Sequence, residues 1–391
     1  MLVGCSRIDG LNDRWFRLSD KKINVLELIG DLGYGGDTAT VLNAIGGLDD
    51  NDIHVDFITH KMGGRCIATF VERLRDEGHR VAILDGDVRK LKLGYPKAFR
   101  AAVEKMGVQY DVLHTHTSLQ SGIALGVAKR MGIPVRICHS HAGTIQRKAS
   151  GLQRALFEAP LRMECLRNAT TLVACSKAAG DFLFGSHSYE LIYNGVDTDA
   201  IGVAAEGGSG KVRAELSCGD NTVLIGQVAR FSSMKNQSFT LELAKAFKNN
   251  SHYAFVLVGD GTNLGVLKRE AQEQGLKNIF FTGRRDDVPA IMGALDCLLL
   301  PSMLGEGFPM TILEAVAAGT PCVISDNVTD EVCMLGGSFA KRLPLVPELW
   351  VRELSMRGRK HTGAVDVGRE ALARNGLDLD SFRSQWASLY R

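Results

Sequence analysis

The sequence predicts two doubly wound α/β domains, each a parallel sheet with helices on both faces. Three observations lead there. Short apolar runs alternate with amphipathic stretches along most of the chain, the rhythm of βαβ units. Those runs are continuously apolar, as strands buried on both faces of a parallel sheet must be. The chain has 391 residues, too many for one ordinary core, and the rhythm breaks near its middle.

Residues 1–22 form a polar leader without the apolar centre of a signal peptide. A first series, residues 23–200, runs through INVLELIG (23–30), HVDFITH (54–60), HRVAILDG (79–86), YDVLHTHT (110–117), PVRICHSH (134–141), ATTLVACS (169–176) and YELIYNGVD (189–197). Helical sequence separates these runs, around 120–131 and 151–167 among others. Residues 201–220 contain GVAAEGGSGK, Gly/Ala-rich and without period, and are expected to be a linker or surface loop. A second series, residues 221–375, runs through NTVLIGQVA (221–229), HYAFVLVGD (252–260), NIFFTG (278–283), DCLLLPS (296–302) and PCVISD (321–326). Its tail, 341–377, reads as basic and irregular, with no nameable chemistry. Residues 376–391 close the chain with an amphipathic helix whose stripe of Phe382, Trp386 and Leu389 suits packing against the first domain.

Bulk properties exclude several classes. Lys and Arg number 46 against 44 Asp and Glu, a net charge of +2, which argues against a dedicated nucleic-acid binder. No apolar run approaches the ~20 residues of a membrane span. Nine cysteines lie singly, without a C-x-x-C pair, as free thiols of a reducing compartment do. The expectation is a cytosolic protein.

In doubly wound folds ligands sit at the carboxyl ends of the strands, so the strand-to-helix junctions carry the functional argument. In SMLGEGFPMTILEAVAAG (302–319), a glycine turn leads to Pro309, suited to the first position of a helix running to Gly319. Free N–H groups at such a helix start attract phosphate. Glu306 projects from the turn, and Glu314 lies on the second helical turn. Two carboxylates so placed can grip vicinal hydroxyls on either side of a diphosphate. The alternative is two glutamates facing water. LIGQVARFSSMKNQS places Arg230 and Lys235 at another junction of the same domain, where they can neutralise a diphosphate without a metal.

Other signals are weaker. HTH (114–116) and HSH (139–141) end two strands, and their four imidazoles could bind zinc; no carboxylate or cysteine stands beside them at ligand spacing, so no metal is expected. GYGGDT misses the dinucleotide fingerprint, with Thr38 where glycine is required. VRKLKLGYPK (88–97) is either a solvated loop or a basic contact with anionic lipid.

ARFSSMKN, LVGDG (257–261), FTGRRDDVPAIM (281–292) and LLPSMLGEGFPMTILEAVAAGTPCVIS together resemble the donor half of retaining glycosyltransferase family 4, with its GT-B fold of two Rossmann-like domains facing a cleft. The spacing E-x7-E of Glu306 and Glu314 is similar to that family's signature. LGYGGDTATVLN, YDVLHTHTSLQSG, VRICHSHAG, ACSKAAGDFLFG and IYNGVDTD match its first half, most like enzymes that build exopolysaccharide and capsule units. The resemblance implies transfer of a hexose from a nucleotide-diphosphate sugar, UDP-linked by preference, to an acceptor hydroxyl, with a lipid-linked glycan as the expected acceptor. That donor is a co-substrate; no cofactor and no metal is implied, and peripheral contact at the inner face of the membrane is compatible. Arg230 and Lys235 would bind the diphosphate, Glu314 the ribose and Glu306 the donor sugar. Gly307, Phe308 and Pro309 would shape the pocket, Met310 and Thr311 meet phosphate through the main chain, and Gly283 and Arg284 lie by the base. Gly35 and Gly36 would let backbone approach the ligand. His141 is the implied functional histidine, with His116 and His139 as second choices on the acceptor side. Ala142 stands where related sequences carry Asn. Two rivals remain open, a sugar-nucleotide epimerase of the same architecture and a non-catalytic nucleotide-sugar-binding subunit.

Overall fold

The computed structural model describes residues 22–48, 52–60, 68–84, 94–143, 156, 158–361 and 363–391. Two parallel sheets organise it. In the first, β1 (Ile23–Ile29), β2 (Ile53–His60), β3 (Val81–Leu84), β4 (Val112–Thr115), β5 (Val135–Ser140), β6 (Thr171–Ala174) and β7 (Glu190–Leu191) lie in the order β3-β2-β1-β4-β5-β6-β7. In the second, β8 (Val223–Val228), β9 (Tyr253–Val258), β10 (Ile279–Gly283), β11 (Cys297–Leu300), β12 (Cys322–Ser325) and β13 (Ala340–Leu343) lie in the order β10-β9-β8-β11-β12-β13. Strand order reverses between β1 and β4 and again between β8 and β11. Those reversals open a crevice at the carboxyl ends of the strands in each sheet.

Both faces of both sheets are covered. Val25, Ile29, Phe57 and Val112 pack with Val41 of the helix Gly36–Ile45 and with Phe382 and Trp386 of the C-terminal helix Leu379–Ser388. Burying each of those two aromatics contributes roughly 2–3 kcal/mol before entropy is subtracted. The opposite face of the first sheet, with Leu26, Leu28 and Leu113, joins a core continuous with Phe308, Met310 and Leu313 of the second domain. The chain passes between the domains twice, and the two passages are bonded side by side: Val196 N–H donates to Leu377 O at 3.0 Å, and Val196 pairs with Asp378 as parallel bridge partners.

Three expectations need correction. Residues 201–220 are not a linker: most of them belong to an 18-residue helix, Thr198–Glu215, capped by the Asp197 side chain. Gly202 and Gly208 serve close helix packing. A Cβ on Gly208 would lie 2.4 Å from Ala290 Cβ, and one on Gly293, across the contact, 2.5 Å from Ala205 O. Gly/Ala composition reads as loop when a partner helix is out of view. Residues 341–377 are likewise ordered, into β13 and the helices Pro347–Ser355 and Ala364–Arg374. Their amphipathic faces are short and their charged faces dominate the composition, yet Trp350 and Leu354 are completely buried. Finally, YELIYNGVD forms only the two-residue strand β7. The leader 1–21 and most of the basic stretch 88–97, residues 88–93, fall outside the described residues.

Candidate active site

β11 ends at Leu300, and the next nine residues form the loop that the glycine turn announced. Pro309 is the N-cap of the helix Met310–Ala317, with φ −68° and ψ 123°, one residue earlier than its expected place inside the helix. No side chain among the described residues caps that helix start. Its first amides are therefore free for an anion. The loop is pinned at both ends: Met303 N–H donates to Met234 O at 2.8 Å, and Glu306 bridges to Val328.

Lys235 Nζ donates to Glu306 Oε2 at 2.7 Å, and Ser302 Oγ donates to the other oxygen of the same carboxylate. The loop that carries Lys235 is fixed from below. Gln227 Nε2 holds Lys235 O, Thr240 holds Gln227, and Gln237 Nε2 holds Arg230 O at 2.9 Å. The Arg230 side chain stands exposed at the end of β8, with no ion-pair partner among the described residues. Glu314 is half-buried and its carboxylate has no protein partner among the described residues. Burial lifts its pKa from 4.5 to about 7.

The first domain closes on this loop. A Cβ built on Gly36 would lie 3.7 Å from Met310 Cγ, so the Gly35–Gly36 turn faces the helix start. A Cβ on Gly307 would meet His141 O at 2.6 Å and Cys175 Sγ at 3.1 Å, which leaves room there for glycine alone. Asn194 Nδ2 donates to Phe308 O at 2.7 Å, and the Phe308 ring lies 4.9 Å from Tyr193. Glu331 bridges the domains as well, accepting from Tyr193 Oη and Lys177 N, each at 2.8 Å. On the other flank, Gly283 has the left-handed φ of 72°, and the Arg284 guanidinium lies 4.4 Å over the Tyr34 ring.

His141 thus sits against the Glu306–Phe308 segment, whereas His116 and His139 do not reach the cleft. His139 is fully buried and His116 nearly so, which corrects their placement on the acceptor side. Both pack against His114 and Trp386 in a network centred on Glu27, a carboxylate with no exposure inside β1. His116 Nε2 lies 2.7 Å from Glu27 Oε2, and Tyr390 Oη donates to Oε1 at 2.6 Å. Burial opposes ionisation of Glu27, but His114 and His116 outweigh it and hold the carboxyl below its usual range. Burial pushes His114 down to about 4 and His139 and His141 well below the ordinary imidazole value. Three of these rings, His114, His116 and His139, approach one another within metal-ligating distance. Their nitrogens are already engaged with Glu27, Tyr390, His141 and one another; among the described residues only His139 Nε2 is left without a partner. A zinc ion would have to displace the hydrogen bonds received by His114 and His116, so this arrangement favours the network over an ion.

Thus Lys235, Glu306, Gly307, Phe308, Pro309, Met310, Thr311, Gly36 and the His141 backbone converge, with Glu314 one turn along the same helix. Sequence reading missed Glu27, Tyr390, Tyr34 and Glu331. Only Glu27 gave a signal, a lone carboxylate inside the apolar run INVLELI.

Two family models match the chain, one for the glycosyl transferase 4-like domain over residues 35–190 and one for glycosyl transferases group 1 over residues 210–331. EpsF of Bacillus subtilis (strain 168), provisionally assigned as a glycosyltransferase, is 30% identical over 373 residues, 92% of this chain and 94% of EpsF. An Escherichia coli UDP-Gal:alpha-D-GlcNAc-diphosphoundecaprenol alpha-1,3-galactosyltransferase is 32% identical over 245 residues, 59% of this chain and 61% of that protein. Among solved structures, Anabaena HepE in complex with UDP and glucose superposes with a TM-score of 0.74 at 19% identity, covering 94% of this chain and 98% of HepE. The architecture is GT-B, two parallel-sheet domains facing one cleft. The chain belongs to glycosyltransferase family 4, the group 1 glycosyl transferases.

Proposed function

We propose that this chain transfers a hexose from a UDP-linked donor to a hydroxyl of a lipid-linked glycan during polysaccharide synthesis, with retention of anomeric configuration and without a divalent metal. The observation that carries this reading is the cluster at one helix tip: Lys235 paired with Glu306, an uncapped helix start at Met310, and the partnerless Glu314 one turn beyond. That cluster supplies positive charge for a diphosphate between two carboxylates that accept hydroxyl protons. HepE, with UDP and glucose bound, shares the architecture, and the galactosyltransferase relative is named for a diphosphoundecaprenol acceptor.

In this mechanism Arg230, Lys235 and the amides of Met310 and Thr311 hold the diphosphate and take up its charge as it leaves. Glu314 binds the ribose, Gly283 and Arg284 border the base, and Gly35 and Gly36 admit the phosphates past the first domain. Glu306 and His141 hold the donor sugar, while Gly307, Phe308 and Pro309 shape its pocket. The leaving diphosphate takes the acceptor's proton on the same face. Lys235 and the helix start replace a metal ion in stabilising that charge. The test is purified chain incubated with a panel of nucleotide sugars and a polyprenyl-diphosphate-linked acceptor, with product stereochemistry read by NMR. An α-linked product from an α-linked donor in the presence of chelator is expected. Inversion, or strict dependence on a divalent ion, overturns the mechanism; an epimerised donor without transfer overturns the reaction.

A further inference from the structure

With all four rings neutral, the hydrogen-bond network beneath His141 fixes where each proton lies. A neutral imidazole has one N–H and one bare nitrogen, and the hydrogen bonds decide which is which. The Glu27 carboxylate can only accept. His116 Nε2, 2.7 Å away, therefore donates, which leaves His116 Nδ1 bare. His141 Nε2 lies 2.7 Å from that bare nitrogen and must donate to it. His141 Nδ1 is then an open lone pair, with no protein partner among the described residues.

The second branch is equally determined. The Trp386 indole only donates, and it gives its proton to Tyr390 Oη at 2.6 Å. Tyr390 passes its own proton to Glu27 Oε1, so His114 Nδ1, 2.9 Å from the phenol, donates to it as well. His114 Nε2 is thereby bare and accepts from His139 Nδ1 at 3.1 Å. His139 Nε2 ends the branch as a buried nitrogen without a partner. One carboxylate orders four rings.

We propose that Glu27 is a positioning residue that, through His116, locks His141 as its Nε2–H tautomer and so presents Nδ1 as an acceptor for a hydroxyl of the transferred sugar. The inference deepens the proposed function and rests on its placement of His141 beside the donor sugar. Removing the charge at Glu27 reverses the chain. In Glu27→Gln, Tyr390 already receives two N–H groups and needs an acceptor for its own proton, so the amide oxygen turns to Tyr390 and the NH2 to His116. His116 then donates through Nδ1, and His141 becomes the Nδ1–H tautomer, a donor where an acceptor is required.

The test uses full-length protein labelled with 15N-histidine, long-range proton–nitrogen correlation at pH 8, and steady-state transfer from the best UDP-sugar. Wild type is expected to show His141 as Nε2–H. Glu27→Gln is expected to show it as Nδ1–H, with kcat reduced at least tenfold and UDP affinity unchanged. His141 found as Nδ1–H in wild type overturns the proposal, whatever the variant's folding. Uptake of one zinc ion by these rings overturns it too. His141→Ala separates the two levels. If that variant transfers normally, the placement of His141 beside the sugar fails. If it is inactive while Glu27→Gln keeps wild-type kcat, the relay alone fails.

Discussion

Glu314 offers the most quantitative test, because its environment opposes its charge. Burial lifts the carboxyl from 4.5 to about 7, and no cation among the described residues compensates it. Below pH 4.5 the group is protonated in both folded and unfolded chains. Between 4.5 and about 7 the unfolded chain releases the proton and the folded chain keeps it, so stability falls as pH rises. The full loss, at ~1.36 kcal/mol for each pH unit, is about 3.4 kcal/mol at most, complete above pH ~7. Glu314→Gln removes this titration. Urea unfolding of both proteins at pH 4.5, 6 and 8 should show the variant gaining up to about 3 kcal/mol on wild type across the series. Ligand reverses the effect, since hydroxyls that donate to Glu314 favour the ionised form. Calorimetry of UDP binding at pH 6.5 in buffers of different ionisation enthalpy should detect roughly three-quarters of a proton more released by wild type than by the variant. Parallel pH–stability curves, or equal proton release, would show that Glu314 neither is desolvated in the free protein nor meets the ribose.

Three further outcomes are expected. Glu306→Gln weakens the contact to Lys235 and should abolish transfer while UDP affinity, measured by calorimetry, changes less than threefold; normal turnover removes Glu306 from the sugar site. Arg230→Ala with Lys235→Ala deletes two charge-assisted contacts and should weaken UDP binding by about 100-fold or more, at ~1.5–3 kcal/mol each; unchanged affinity places the diphosphate elsewhere. Gly307→Ala puts a methyl 2.6 Å from His141 O, so the loop must retreat by roughly half an ångström to an ångström. Displacements of that size cost up to ~100-fold in rate, so kcat should fall at least tenfold with Tm nearly unchanged.

The strands were legible because parallel strands buried on both faces leave long apolar runs, and Val223–Val228, Tyr253–Val258 and Cys297–Leu300 need nothing else to be recognised. The Glu306 loop was legible because a glycine turn before an apolar helix has few other uses. What escaped was set by partners distant in sequence. The helix Thr198–Glu215 looks like a loop until Ala290 and Gly293 fill the space its glycines leave. His116 and His139 looked like acceptor-side ligands, because Glu27 and Tyr390, 363 residues apart, meet only in the fold. Their hydrogen bonds use up the lone pairs that a sequence reading leaves vacant. Tyr34 and Arg284 escaped for the same reason, as a single pairing across the cleft leaves no local pattern.

The paired passages at Val196 and Leu377–Asp378 give the two halves a common spine, and Gly195 is pressed so closely on Phe382 that a Cβ there would lie 2.4 Å from the Phe382 Cβ. Asn194 and Tyr193, next to that spine, hold Phe308 and Glu331 of the other half, so the floor of the sugar pocket is tied to the same line. A nick in either passage leaves the other still holding the halves in register, and activity should outlast a single cut there.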